Sequence, residues 1–89
     1  MNFTMHIPYG GGFDVRVERI YHSDFKDRYK ITGQTRLIVF ETNWPLLRGK
    51  ESGEAPTWKQ VEGEPLSESM RDMVLLWLER EVRKEFEKG

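Results

Sequence analysis

From Phe3 to Val61 the apolar residues recur mostly at every second position, and from Met70 to Phe86 they recur at every fourth. Side chains alternate across a strand but return every three to four residues along a helix. This change of period therefore predicts a sheet first and a helix second. It also leaves little room for a crossover helix between strands, so the strands must pair as antiparallel neighbours.

The strand segments are separated by turn chemistry. Phe3, Met5 and Ile7 alternate with Asn2, Thr4 and His6, and Pro8 ends that strand. The Gly10-Gly11-Gly12 run supplies a reversal. Phe13, Val15 and Val17 alternate with Asp14, Arg16 and Glu18; Ile20 then breaks the parity, so a bulge is expected near Arg19-Ile20, with Tyr21 back on the core side. A polar turn over Ser23 to Asp27 leads to a short strand, Arg28 to Thr32, with Tyr29 and Ile31 inward. Gly33-Gln34 reads as a two-residue turn. Thr35 to Thr42 contains Leu37-Ile38-Val39-Phe40, apolar on both parities, which predicts a strand buried on both faces at the centre of the sheet. Asn43-Trp44-Pro45 breaks it, Leu46 to Pro56 reads as a surface loop, and Thr57 to Val61 reads as the last strand.

The helix is expected over 67–88, capped by Ser67 or Ser69; Ser69 with Asp72 resembles a capping box. Met70, Val74, Leu78, Val82 and Phe86 form its apolar stripe. The expected fold is α+β: an antiparallel meander of about five strands over 2–62 and one C-terminal amphipathic helix packed on one face. At 89 residues the chain is the size of a single domain, 1–89.

Composition narrows the chemistry. There is no cysteine, which excludes disulfides, thiolate metal sites and cysteine nucleophiles. Without disulfide staples, and with no apolar leader in the first residues, a cytoplasmic location is expected. Uncharged apolar runs such as Val74 to Leu78 are far short of the ~20 residues that cross a bilayer. Residues 1–50 carry eight Lys/Arg against five Asp/Glu and residues 51–89 carry six against ten, so there is no strong basic excess. The two histidines, His6 and His22, lack metal-ligand spacing. His22-Ser23-Asp24 holds triad residue types in the wrong arrangement, since a triad is assembled by folding. The glycine run joins strand to strand and has no lysine, unlike a phosphate loop. No catalytic residue, cofactor or metal is expected.

Two surfaces remain as candidates. Met73, Leu76 and Trp77 lie off the main helical stripe and make the first half of the helix apolar most of the way round. A single sheet face does not need that much apolar circumference. The surplus calls for a second apolar neighbour, either the loop bearing Trp44, Leu46 and Leu47 or another copy of the chain. The candidate interface is thus Met73, Leu76, Trp77, Trp44 and Leu47, with a protein partner or a homodimer as the preferred expectation. The alternative is single-stranded nucleic acid on a basic and aromatic sheet face, through Arg16, Arg19, Arg28, Lys30, Arg36 and Lys59. Asp14, Glu18, Asp24 and Asp27 are expected on that same surface and count against it. A ligand pocket between the helix and the 43–56 loop is a third, weaker expectation.

Tyr29-Lys30-Ile31-Thr32-Gly33, then Asn43-Trp44-Pro45-Leu46-Leu47-Arg48, then Trp58 and Gly63 resemble a group of small bacterial hypothetical proteins. In that group an Asn-x-Pro turn and a Trp-bearing strand precede a terminal helix. The resemblance covers about the central half of the chain and rests on turn-and-strand motifs. It implies a bacterial, cytosolic domain and brings no site residue with it, because the group has no assigned function.

Overall fold

The computed structural model describes residues 2–33, 36–47 and 56–88, with the side chains of 85–88 left aside. Five strands, β1 (Asn2–Ile7), β2 (Phe13–His22), β3 (Asp27–Thr32), β4 (Leu37–Thr42) and β5 (Trp58–Glu62), form one antiparallel meander in the order β1-β2-β3-β4-β5. One turn of helix, α1 (Trp44–Leu47), follows β4, and α2 (Glu68–Lys88) closes the described chain. The α+β meander with a C-terminal helix is therefore the fold. β3, not β4, is the middle strand, which corrects the expectation drawn from the doubly apolar run. Val39 is nonetheless buried on the face away from α2, while Leu37 on that same face is exposed.

The core follows from the pleat. Phe3↔Val17, Met5↔Val15, Val17↔Ile31, Ile31↔Ile38 and Tyr29↔Phe40 are directly paired across the strands, so their side chains share one face. Val74, Leu78 and Val82 cover that face from α2 and are almost fully buried. Burying each such side chain contributes about 1.5–3 kcal/mol. Ser67 starts the helix: its Oγ accepts the Met70 N–H at 3.3 Å and its carbonyl accepts the Arg71 N–H. Ser69 lies inside the helix, so the Ser69–Asp72 box is not the cap. The Phe86 side chain, the last of the expected stripe, is outside the described residues.

Two register shifts shape the sheet. The first lies between Arg19 and Tyr21, where the parity break foretold a bulge. Its effect is the reverse of the one expected for Tyr21. An inserted residue turns every later side chain to the other face. Tyr21 therefore pairs with Arg28 on the outer face, 44% exposed, and His22 turns to the helix side opposite Asp27. The second shift, between Val39 and Phe40, lets Glu62 pair with Val39 at the end of β5. Gly63 follows with φ +99°, and a Cβ there would sit 2.5 Å from the Leu37 carbonyl oxygen.

The segment after β4 also differs from the expected loop. Pro45 sits at the start of α1, where its missing N–H costs nothing. Thr42 Oγ1 accepts the Trp44 N–H at 3.2 Å, and Asn43 Oδ1 accepts the Thr57 N–H at 2.8 Å, tying the end of β4 to the start of β5. Leu46 and Leu47 thus belong to a helical turn. The rest of the expected 46–56 loop, apart from the buried Pro56, lies outside the described residues, as does Gln34 of the expected turn; Gly33 N–H donates to the Arg36 carbonyl at 2.9 Å across that turn.

Candidate functional site

At one end of the helix-covered face lies a polar cluster. Asp27, fully buried, is the first residue of β3, and it shares a face with Tyr29 and Ile31. Its Oδ2 accepts the Tyr29 hydroxyl at 2.9 Å, and its Oδ1 lies 2.5 Å from His22 Nδ1. Thr42, also buried, is its cross-strand neighbour, and the Trp58 ring lies 6.0 Å from the Tyr29 ring. Asp27 is thus neither a turn residue nor part of the outer basic surface. The Tyr29 phenol is pushed well above its ordinary value of 10.0, first by burial and then by the adjacent Asp27 charge. His22 thus presents Nδ1 to the Asp27 carboxyl, and its imidazole is about half exposed. That is the orientation of a general base. Among the described residues no hydroxyl, thiol or amine is bonded to His22 Nε2, so the cluster ties the strand ends together.

The opposite end of the same face holds a half-open cavity of about 210 Å³. Phe13, Val15, Ile31, Ile38, Met70 and Val74 make its apolar wall, with the exposed Arg36 at its mouth. It lies between the sheet and the first turns of α2, and no described residue of the 43–56 segment, where a pocket was expected, lines it.

The expected interface residues do not form one patch. At about 100° per residue, Leu75, Glu79 and Arg83 share one flank of α2, and Met73, Trp77 and Arg80 share the other. Arg83 lies over the Trp44 ring at 5.0 Å, so α1, with the half-buried Leu47, belongs to the first flank. Met73 and Trp77 pack at the edge of the core on the flank away from α1, with Arg80 4.8 Å from the Trp77 ring centroid. Leu76 points away from the sheet and is 52% exposed. Of the strands, β1 lies closest against α2.

The two edges of the sheet are unlike. β5 is five residues long, carries Lys59 and Glu62, and ends in a register shift and a positive-φ glycine. These are devices that discourage strand addition. β1 runs six residues with no Lys, Arg, Asp, Glu or Pro and no register shift. Among the described residues nothing pairs with its outer edge.

The basic residues separate as well. Arg16, Arg28, Lys30 and Lys59 project from the outer face, but Arg19 stands opposite Tyr29 on the helix side and Arg36 is at the cavity mouth. Lys30 pairs with Glu18 at 3.0 Å and Arg28 with Glu41 at 2.9 Å, with Lys26 joining at 3.4 Å. The hydrogen bond from Arg28, with help from Lys26, holds the Glu41 carboxyl below its ordinary value of 4.5. Arg28 and Lys26 also stand 5.5 and 5.9 Å from the Tyr21 ring centroid. The outer face is therefore a lattice of cross-strand pairs in which two of the six expected cations are already matched.

Among the described residues no group of three or more His, Asp or Glu is placed to hold a metal ion, and no helix is long and apolar enough to cross a membrane. Sequence reasoning missed the Asp27 cluster and the bare β1 edge. The signal for the first was the parity Asp27-Tyr29-Ile31, and for the second the absence of edge-blunting residues in 2–7. Comparison of the chain with family models, with curated proteins and with solved structures gave no match.

Proposed function

We propose that this domain acts by binding protein chains, a second copy of itself first, through the outer edge of β1. The observation that carries this reading is the contrast between the two sheet edges. An edge of six residues without charge, proline or bulge offers a row of free N–H and C=O groups to another strand.

A two-fold axis through Thr4 or Met5 would pair the β1 strands antiparallel and join two five-stranded sheets into one. That register keeps odd positions opposite odd positions, so Phe3, Met5 and Ile7 of both copies stay on the same face. The two α2 helices then lie side by side on that face. Their facing flanks are the ones that carry Met73 and Trp77. This joins two of the expected interface residues to the strand edge, and it leaves Trp44 and Leu47 to packing within the chain.

Light scattering on the purified chain is the test. The expected mass is twice 10.6 kDa at about 50 µM, a concentration that populates a dimer of micromolar Kd. Thr4→Lys, at an exposed site, should give a monomer with unchanged circular dichroism, because it sets two like charges about 5 Å apart with the axis at Thr4, or about 7–8 Å apart on the diagonal with the axis at Met5. A wild-type monomer at that concentration overturns the reading. A dimer that survives Thr4→Lys overturns its placement at β1.

A further inference from the structure

We infer that the cavity under the first turns of α2 is a binding site for a small aromatic carboxylate. Its wall is apolar on every side, from Phe13, Val15, Ile31 and Ile38 on the sheet to Met70 and Val74 on the helix. Arg36 is the charged side chain on the cavity's side of the sheet, which fits the usual layout of a small-molecule site: an apolar body with a few polar groups to set orientation.

The mouth is not electrically neutral in effect. Asp14 alternates with Phe13 and Val15, so its carboxylate lies on the outer face of the sheet, where it bonds His6 Nδ1 at 2.8 Å. Arg36 is exposed and has no ion pair or hydrogen bond from its side chain among the described residues. Its planar fork of donors matches a carboxylate in two parallel hydrogen bonds. The free charge at the opening is thus positive, and it selects an anionic head over a cationic one.

Volume fixes the body. A dry cavity of about 150 Å³ holds benzene, so 210 Å³ holds about eight apolar heavy atoms. A phenyl ring with two methylenes has that size, and its carboxylate then reaches the mouth. Met70, unbranched and adaptable, lets the wall close on a flat ring. 3-Phenylpropionate is the probe.

Titration calorimetry should give a Kd on the order of 0.1–1 mM for 3-phenylpropionate, as expected for so small a ligand. Amide shifts should concentrate at Val15, Ile31, Gly33 and Val74. Arg36→Gln, at an exposed position, should weaken binding about tenfold, the loss expected for a charge-assisted pair. The neutral analogue 3-phenylpropan-1-ol should bind wild type about as weakly as 3-phenylpropionate binds that variant. Val15→Phe, which fills the cavity, should abolish binding. No heat and no shifts at millimolar probe overturn the inference, as do shifts clustered elsewhere or an affinity unchanged in Arg36→Gln. The oligomeric state does not enter these readouts, so failure here and failure of the β1 interface are separable.

Discussion

Asp27 and Tyr29 should behave as one unit in unfolding experiments. Asp27→Ala removes an acceptor from a hydroxyl whose residue is fully buried, and a stranded buried donor costs about 1–3 kcal/mol. Relief of the buried carboxylate offsets part of that, so the net loss is about 2 kcal/mol. His22 is half exposed and recovers its lost bond from water. Tyr29→Phe removes the donor instead and leaves Oδ2 unpaired in the core, again about 2 kcal/mol. In the double variant neither atom is stranded. Its cost should fall short of the sum of the single costs by about 1–2 kcal/mol. Urea unfolding followed by circular dichroism, at one fixed protein concentration, measures all four corners of the cycle. For a domain of this size each single variant should also lower Tm by about 8–16 °C. Additivity within about 0.5 kcal/mol would show that the two side chains do not share a bond, and the reading of Asp27 as a buried tie would be wrong.

Three further outcomes follow from the geometry. Gly63→Ala should destabilise by about 1–3 kcal/mol in the same assay, because its φ of +99° and the Leu37 carbonyl 2.5 Å from the new Cβ leave nowhere to relax; a neutral result would mean β5 does not end there as described. Tyr29 is raised in the folded chain, so its contribution is fully present below 10.0 and is lost as pH rises above it; the alkaline fall in stability should be smaller in Tyr29→Phe, measured relative to that variant's own stability near neutrality. A labelled single-stranded oligonucleotide at low salt should show little binding, because Glu18 and Glu41 already engage Lys30 and Arg28; tight, salt-sensitive binding lost in Arg16→Ala and Lys59→Ala would restore the nucleic-acid reading.

The parts of the fold legible in the sequence are those written in local period. Phe3-Met5-Ile7, Phe13-Val15-Val17 and the stripe Met70-Val74-Leu78-Val82 each state their own element and their own buried face. The bulge near Arg19-Ile20 was legible too, because an apolar residue arrived one place early. Its consequence was not. Parity with Phe13, Val15 and Val17 argued for Tyr21 on the core side, but the inserted residue sends Tyr21 outward and His22 inward. Asp27 was hidden by its charge: a carboxylate beside Ser23 and Asp24 reads as turn, and only its parity with Tyr29 betrays the strand. The single turn of α1 is too short to show a period. The pairs Glu18–Lys30 and Arg28–Glu41 depend on register, which no single strand contains. For the same reason the separation of Trp44 from Trp77 onto opposite flanks of α2 needed coordinates.

Amide hydrogen exchange across Asn2–Ile7, followed at high and low protein concentration, reads the β1 edge itself. In a β1–β1 dimer, alternate amides of this strand gain a partner, so their protection should be strong in concentrated solution and fall on dilution, while Val15, Val17 and Ile31 stay protected throughout. If alternate amides of Asn2–Ile7 exchange freely at every concentration, that edge faces water and the account of how this domain meets its partner is wrong.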